Sequence, residues 1–142
     1  MIRYLEIDEI LELHFWIIED FGGSHGVRDE LGLKSLAAAP RTIVFGEEQY
    51  VPVHEKAAVY LRNCIADHIF TDGNKRTAVT IAGVFLARNG WRMTAAAVEL
   101  EDFAVRAATD HFDIDAIADW LERHSRDAVG RSEERRVGKE CR

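Results

Sequence analysis

From Ala78 to Ala87 the chain reads AVTIAGVFLA, a segment that is apolar nearly all round when wound as a helix. A helix of that kind gains nothing by facing water and is normally enclosed by other elements on most of its sides. It therefore demands a domain large enough to surround it. With 142 residues, 47% of them hydrophobic, the chain suits one domain with a substantial core and is too short for two ordinary ones.

The rest of the pattern supplies the surrounding elements. Apolar residues at Ile7, Ile10, Leu11, Leu13, Phe15, Ile17 and Ile18 predict an amphipathic helix with Asp8 near its start, stopped by the glycines of FGGSHG. RDELGLKSLAAA reads as a short second helix closed by Pro40. In RTIVFGEEQYV, β-branched and aromatic residues flank Phe45-Gly46-Glu47-Glu48, the pattern of a short hairpin or flap. Pro52 opens a third helix, VHEKAAVYLRNCIADH. The apolar helix runs from Asn74 to Arg88 and ends at Asn89-Gly90. Glu99 to Ala108 and Asp115 to His124 complete the set. The expected fold is all-α: a compact bundle of about six helices with one short β-hairpin flap.

After Gly130 the apolar periodicity stops. RSEERRVGKECR is charged around a single valine and reads like translated vector sequence, so we assign residues 1–130 to the domain and 131–142 to a disordered tail. The tail carries five basic and three acidic groups; of the formal net charge of −7, this leaves −9 on residues 1–130. An acidic body argues against nonspecific binding to nucleic acid, so any phosphate site must be local. The opening MIRYLEIDEILEL alternates apolar and acidic residues, unlike a signal peptide, and no apolar run is long enough to span a bilayer. Cys64 and Cys141 lie far apart, which suggests neither a disulfide framework nor a zinc site and suits a reducing cytoplasm.

Directly before the apolar helix stands the densest polar cluster of the chain, HIFTDGNKRTA from His68 to Ala78. Asp72-Gly73-Asn74 is turn chemistry, with Gly73 free to take positive φ. The helix beginning there points unpaired N–H groups and the positive end of its dipole at the turn. Lys75 and Arg76 add two cations in the first turn, where cations are normally unfavourable, a conflict that an anion such as a phosphate chain resolves. Asp72 suits Mg²⁺, which accompanies phosphates and takes few protein carboxylates. His68, just upstream, is placed to take a proton from an attacking hydroxyl. Phe70, between two polar positions, is expected to point inward and pin the loop. Base, metal ligand, anion nest and cationic clamp together describe phosphoryl or nucleotidyl transfer. The residues alone are also compatible with an ordinary capped turn whose Lys75 and Arg76 are merely solvated.

His68, Phe70, Asp72, Gly73, Asn74 and Arg76 fill the pattern H-x-F-x-(D/E)-(G/A)-N-x-R, and on these residues the chain resembles the Fic/Doc family. GVRDELGLKSLAAAP, FGEEQYV, EKAAVYL and FLARNG resemble the death-on-curing (Doc) branch in particular, and the resemblance runs through most of residues 1–124. Adenylylating members read HPFxxGNGRxxR. Here Ile69 replaces the proline, Lys75 the second glycine and Val79 the final arginine. Lys75 puts a long cation where a glycine lets phosphates approach the backbone. The resemblance to the Doc form implies a toxin of a toxin–antitoxin pair, a kinase that transfers the γ-phosphoryl of ATP to a threonine of elongation factor Tu and arrests translation.

By position, the resemblance makes His68 the general base and Asp72 the Mg²⁺ ligand. Asn74 with the helix N-terminus forms the anion hole, Gly73 lies at the phosphates, Lys75 and Arg76 contact them, and Phe70 is support. The flap, placed around Ile43 to Tyr50, aligns the target segment. The inhibitory pattern (S/T)-x-x-x-E-(G/N) of many Fic enzymes is not found in residues 1–130, so inhibition is expected from a separate antitoxin whose disordered segment folds onto a groove. Two other readings stay open: adenylyl transfer by the same site, which Lys75 and Val79 disfavour, and a catalytically silent binding protein, which the intact His68, Asp72 and Asn74 disfavour.

Of the other histidines, none pairs with a second on one helical face beside a carboxylate, and His54 and His124 are expected at the surface. Cys64 reads as a small core residue, and Trp16, Trp91 and Trp120 as core or groove aromatics.

Overall fold

A computed structural model describes residues 1–128. The tail 131–142, with Cys141, lies outside the described residues, as does the expected domain end at 130. Six helices form: α1 (Ile7–Phe21), α2 (Glu30–Ala38), α3 (Val53–Ala66), α4 (Asn74–Arg88), α5 (Ala97–Thr109) and α6 (Ile114–Arg123). None of the described helices is long and apolar enough to cross a membrane.

The helix ends follow local chemistry. The Glu9 carboxylate reaches back to the Glu6 N–H at 3.0 Å to start α1. Asp29 and Asp113 accept from the N–H groups of Gly32 and Ala116 to start α2 and α6. Pro40 ends α2 within a 3₁₀ turn, Ala39–Arg41. The expected flap forms as β1 (Ile43–Val44) and β2 (Glu47–Glu48), antiparallel, with Ile43 opposite Glu48 and Val44 opposite Glu47. Phe45 and Gly46 turn the corner with φ of 51° and 80°, the left-handed pair that a two-residue hairpin loop takes.

α3 is the axis of the core. Ala57, Ala58, Val59, Tyr60 and Leu61 are buried consecutively, which only happens when neighbours cover every side of a helix. α4 and α6 pack on it, with α2 and α5 alongside. α4 is enclosed on one side by Ala78, Ile81, Ala82, Phe85 and Leu86. The apolar face carrying Thr80, Gly83, Val84 and Ala87 is left open and lines a groove of about 670 Å³. The helix expected to be surrounded on most sides is therefore surrounded on part of its circumference.

A second two-stranded sheet was not expected. β3 (Trp91–Met93) pairs antiparallel with β4 (Ser125–Asp127), Arg92 opposite Arg126. Its formation corrects the placing of His54 at the surface. β4 and Trp91 close over the start of α3, so His54 is buried, its Nε2 2.8 Å from the Ser125 hydroxyl and its ring edge-on to Trp91. His124 is half-buried against Trp120, with the ring centroids 3.8 Å apart. Trp120 is buried and Trp91 lines the groove, whereas Trp16 is 54% exposed on α1 and belongs to neither core nor groove.

Candidate active site

The polar cluster is a loop between the end of α3 and the start of α4, and its geometry is imposed by its buried members. Ile69 and Phe70 are fully buried. Phe70 forms an isolated antiparallel bridge with Val27, the Ile69 carbonyl accepts from the N–H groups of Arg28 and Asp29, and the Gly26 carbonyl accepts from Thr71. The loop is thus sewn to the segment that precedes α2. His68, the residue before this anchor, takes φ of 46° and is exposed. Left-handed backbone is uncommon for a side chain other than glycine or asparagine, and here it turns the imidazole outward while the next two side chains go into the core.

Asn74 closes the loop from the other end. Its side-chain oxygen accepts from the Phe70 N–H at 3.0 Å and its amide donates to the Phe70 carbonyl at 2.8 Å. The side chain is therefore committed to the loop, and what Asn74 leaves for an anion is its backbone N–H. Gly73 caps α4 with φ of 78°, and a Cβ there would come within 3.1 Å of Ile18 and close to Ile17 and His14, so both conformation and space require glycine. The first intrahelical bond of α4 is Thr77 N–H to the Gly73 carbonyl, so the N–H groups of the first turn precede the ladder.

Four residues that hold this loop are invisible as motif. His14 is buried on α1, parallel to the Phe70 ring with centroids 3.8 Å apart, and its Nε2 lies 2.9 Å from the Asp72 carbonyl. A carbonyl only accepts, so that nitrogen carries the proton; burial lowers the imidazole pKa and favours the neutral ring. The Ser24 N–H donates to Asp72 Oδ2 at 2.8 Å, and Gly23 lies against the Asp72 side chain. Glu101 of α5 pairs with Arg76, whose guanidinium also lies 4.1 Å from the centre of the Phe21 ring. Of these, only His14 left a signal: it falls in register with Ile10 and Ile18 on the buried stripe of α1.

His68, Asp72, Gly73, Asn74, Lys75 and Arg76 line one cavity of about 400 Å³, which Glu101 also borders. Phe70 is beneath it. Every residue singled out in the motif is thus brought together, in the pocket or directly under it. Val79, at the position of the missing final arginine, is buried and faces the apolar groove instead. Cys64 is buried beneath the loop, its thiol 3.6 Å from the Asn74 carbonyl, and burial pushes its pKa far up, which makes it an inert core group. Asp72 supplies a carboxylate to the cavity beside the helix N-terminus, Glu101 being engaged with Arg76, and among the described residues no group of three or more His, Cys, Asp or Glu could hold a metal by itself.

The profile of the Fic/DOC family matches residues 4–86, which include the whole loop and most of α4. The chain belongs to the Fic/Doc family. Two relatives match along most of its length. "Protein kinase doc" of Escherichia phage P1 is 35% identical over 121 residues, 85% of this chain and 94% of the relative. "Toxin Doc" of Mycolicibacterium smegmatis is 35% identical over 120 residues, 83% of this chain and 90% of the relative. The family's signature loop is here the loop held by His14, Phe70 and Asn74, and its mostly helical fold is the bundle described above.

Proposed function

We propose that this Fic/Doc protein is a Doc-type toxin and a protein kinase, transferring the γ-phosphoryl of ATP to a threonine of a translation factor, with elongation factor Tu the expected acceptor, and so arresting translation in the cytoplasm. The observation that carries this reading is the shared cavity: an exposed imidazole, a carboxylate, a helix N-terminus and two cations face one space. The names of the two relatives, a kinase and a toxin, agree with it.

In this mechanism His68 accepts the proton of the threonine hydroxyl as its oxygen bonds to the γ-phosphorus, and the bond from that phosphorus to the β,γ-bridging oxygen breaks to release ADP. The backbone N–H groups opening α4 receive the phosphate oxygens, with Lys75 and Arg76 as counter-charges. Arg76 reaches them by exchanging Glu101 for phosphate. Asp72 fits Mg²⁺ in the way that ion is usually held beside nucleotides, by one carboxylate together with phosphates and water. Bound there, Mg²⁺ would neutralise phosphate charge. Lys75 and the apolar Val79 favour γ-phosphoryl over adenylyl transfer, because the phosphate-binding arginine of adenylylating members is replaced by a wall of the groove.

The antitoxin is assigned to that groove. It is lined by Ile17, Phe21, Val84, Trp91, Met93 and Leu100, and it leaves uncovered one face of a helix whose sequence is apolar all round. A disordered segment that folds into an amphipathic helix would complete the bundle there.

The test uses purified protein, Mg²⁺ and elongation factor Tu, with ATP labelled in parallel at the α or γ phosphate. Transfer from γ alone is expected. Transfer from α would make the protein an adenylyltransferase, and transfer from neither would exclude this acceptor or this chemistry.

A further inference from the structure

The flap has no packing of its own. Both of its strands are exposed, Ile43 at 65% and the turn residue Phe45 at 101% relative exposure, and each strand has only two residues. A hairpin this short is at best marginal in water without a tether. The tether visible in the structure is Lys56 on α3. Its side chain is fully buried, which is rare for lysine unless every proton of the ammonium has a partner. Nζ donates to the Tyr50 carbonyl, to Glu48 Oε1 at 2.9 Å and, more weakly, to the Pro40 carbonyl at 3.5 Å. It also lies 5.5 Å from the centre of the Tyr4 ring.

These acceptors have a common property. Pro40 precedes the first strand, Tyr50 follows the second and Glu48 is within the second, so one charge holds both ends of the hairpin. Two further bonds close the same base, Gln49 N–H to the Thr42 carbonyl at 2.9 Å and the Thr42 hydroxyl to the Ala39 carbonyl at 2.8 Å. Burial works against the charge, yet the neighbouring Tyr4 and the hydrogen-bonded Glu48 raise the pKa above the ordinary lysine value, so the ammonium persists. A methionine would fill the same space without the desolvation cost of a cation. What an apolar chain cannot do is fix the direction of two carbonyls and a carboxylate.

We propose that Lys56 is a positioning residue: a buried ammonium latch that sets the angle and register of the flap, and through it the binding of the protein acceptor. The proposal rests on the reading of the flap as the element that aligns the target segment, and Lys56 itself touches neither substrate.

The test compares Lys56→Met and Glu48→Lys with the parent chain. The second is a surface change, since the Glu48 side chain is half exposed, and it sets a like charge against the ammonium. Millisecond amide exchange is expected to quicken across residues 42–50 by about tenfold while residues 74–88 keep their protection. With elongation factor Tu as acceptor, its KM should rise by about fivefold or more while that for ATP stays within about twofold. Flap amides as protected in Glu48→Lys as in the parent would overturn the latch, and so would a loosened flap with an unchanged acceptor KM. If Lys56→Met does not fold, Glu48→Lys decides alone. His68→Ala run in parallel separates the two ideas: if it transfers phosphate like the parent, the kinase mechanism fails, while the exchange data still judge the latch.

Discussion

The ring of His14 lies parallel to that of Phe70, 3.8 Å between centroids and 8° between planes, while its Nε2 hydrogen-bonds the Asp72 carbonyl. One side chain on α1 thus supports both the inward and the outward half of the signature loop. His14→Phe keeps a flat ring on Phe70 and removes only the donor. The stability loss should be that of a single hydrogen bond, about 0.5–1.5 kcal/mol. In the proposed mechanism catalysis depends on the position of Asp72, and a displacement of about 1 Å costs about 10²-fold in rate. Phosphoryl transfer should therefore fall far more than the Tm does; equal, small effects on both would make His14 a packing residue only.

His68 is exposed and makes no packing contribution to the core. His68→Ala should leave circular dichroism and Tm close to the parent while lowering transfer by about 10²–10⁴-fold, the contribution of a general base. The same variant should no longer arrest growth. Continued arrest by a folded alanine variant would remove His68 from the mechanism.

Arg76 engages Glu101 through Nε, so Glu101 competes with phosphate for the charge of the same guanidinium. The pair is partly exposed, so its effect on stability is small. Its effect on the nucleotide is direct, because Glu101 is a like charge at the edge of a phosphate site. Glu101→Gln is expected to lower the Kd for ATP by about three- to tenfold, equivalent to about 0.6–1.4 kcal/mol. Calorimetric titration reads this, and weaker binding would mean that Glu101 orients Arg76 rather than competing for it.

The helices were legible because their ends carry local signals: glycines after Phe21, Pro52 before α3, Asn89-Gly90 after α4. So was the flap, from Phe45-Gly46 between β-formers. The cluster from His68 to Arg76 was legible as a site because two cations at a helix N-terminus conflict with its dipole. β3 and β4 were not, since three-residue strands show no alternation and their pairing joins Trp91 to Asp127 across two helices. His54 was misplaced for the same reason, as the groups that bury it come from that sheet. The supports of the loop were hidden because their partners are distant in the chain, as the Asp72 carbonyl is, 58 residues from His14. Nothing in the helical pattern around Lys56 marks it as buried, because what covers it comes from outside its own helix.

Two buried histidines predict the pH response. Burial lowers the pKa of both His14 and His54 from the ordinary 6.5. In the window between each folded value and 6.5 the unfolded chain binds more protons than the native one, so native stability rises with pH there. The contribution is fully present above about pH 6.5 and is lost as the pH falls toward the folded values. The Tm measured from pH 7.5 down to pH 5 should decline, and the decline should be shallower in a His54→Gln variant. A flat profile in the parent would mean that these rings are protonated in the native state.

In the proposed mechanism the type of transfer turns on Lys75. It is exposed in the first turn of α4 and lines the same cavity as His68. Lys75→Gly removes a cation from the phosphate site and opens the space that adenylylating relatives leave at this position. A glycine inside a helix costs about 1 kcal/mol, which the domain should tolerate. Transfer from γ-labelled ATP is expected to weaken, and label from the α phosphate to appear on the acceptor or on the protein itself. If γ transfer is unchanged and α transfer stays absent, the lysine does not set the nucleotide's orientation, and the choice must lie with Val79, where the groove takes the place of an arginine.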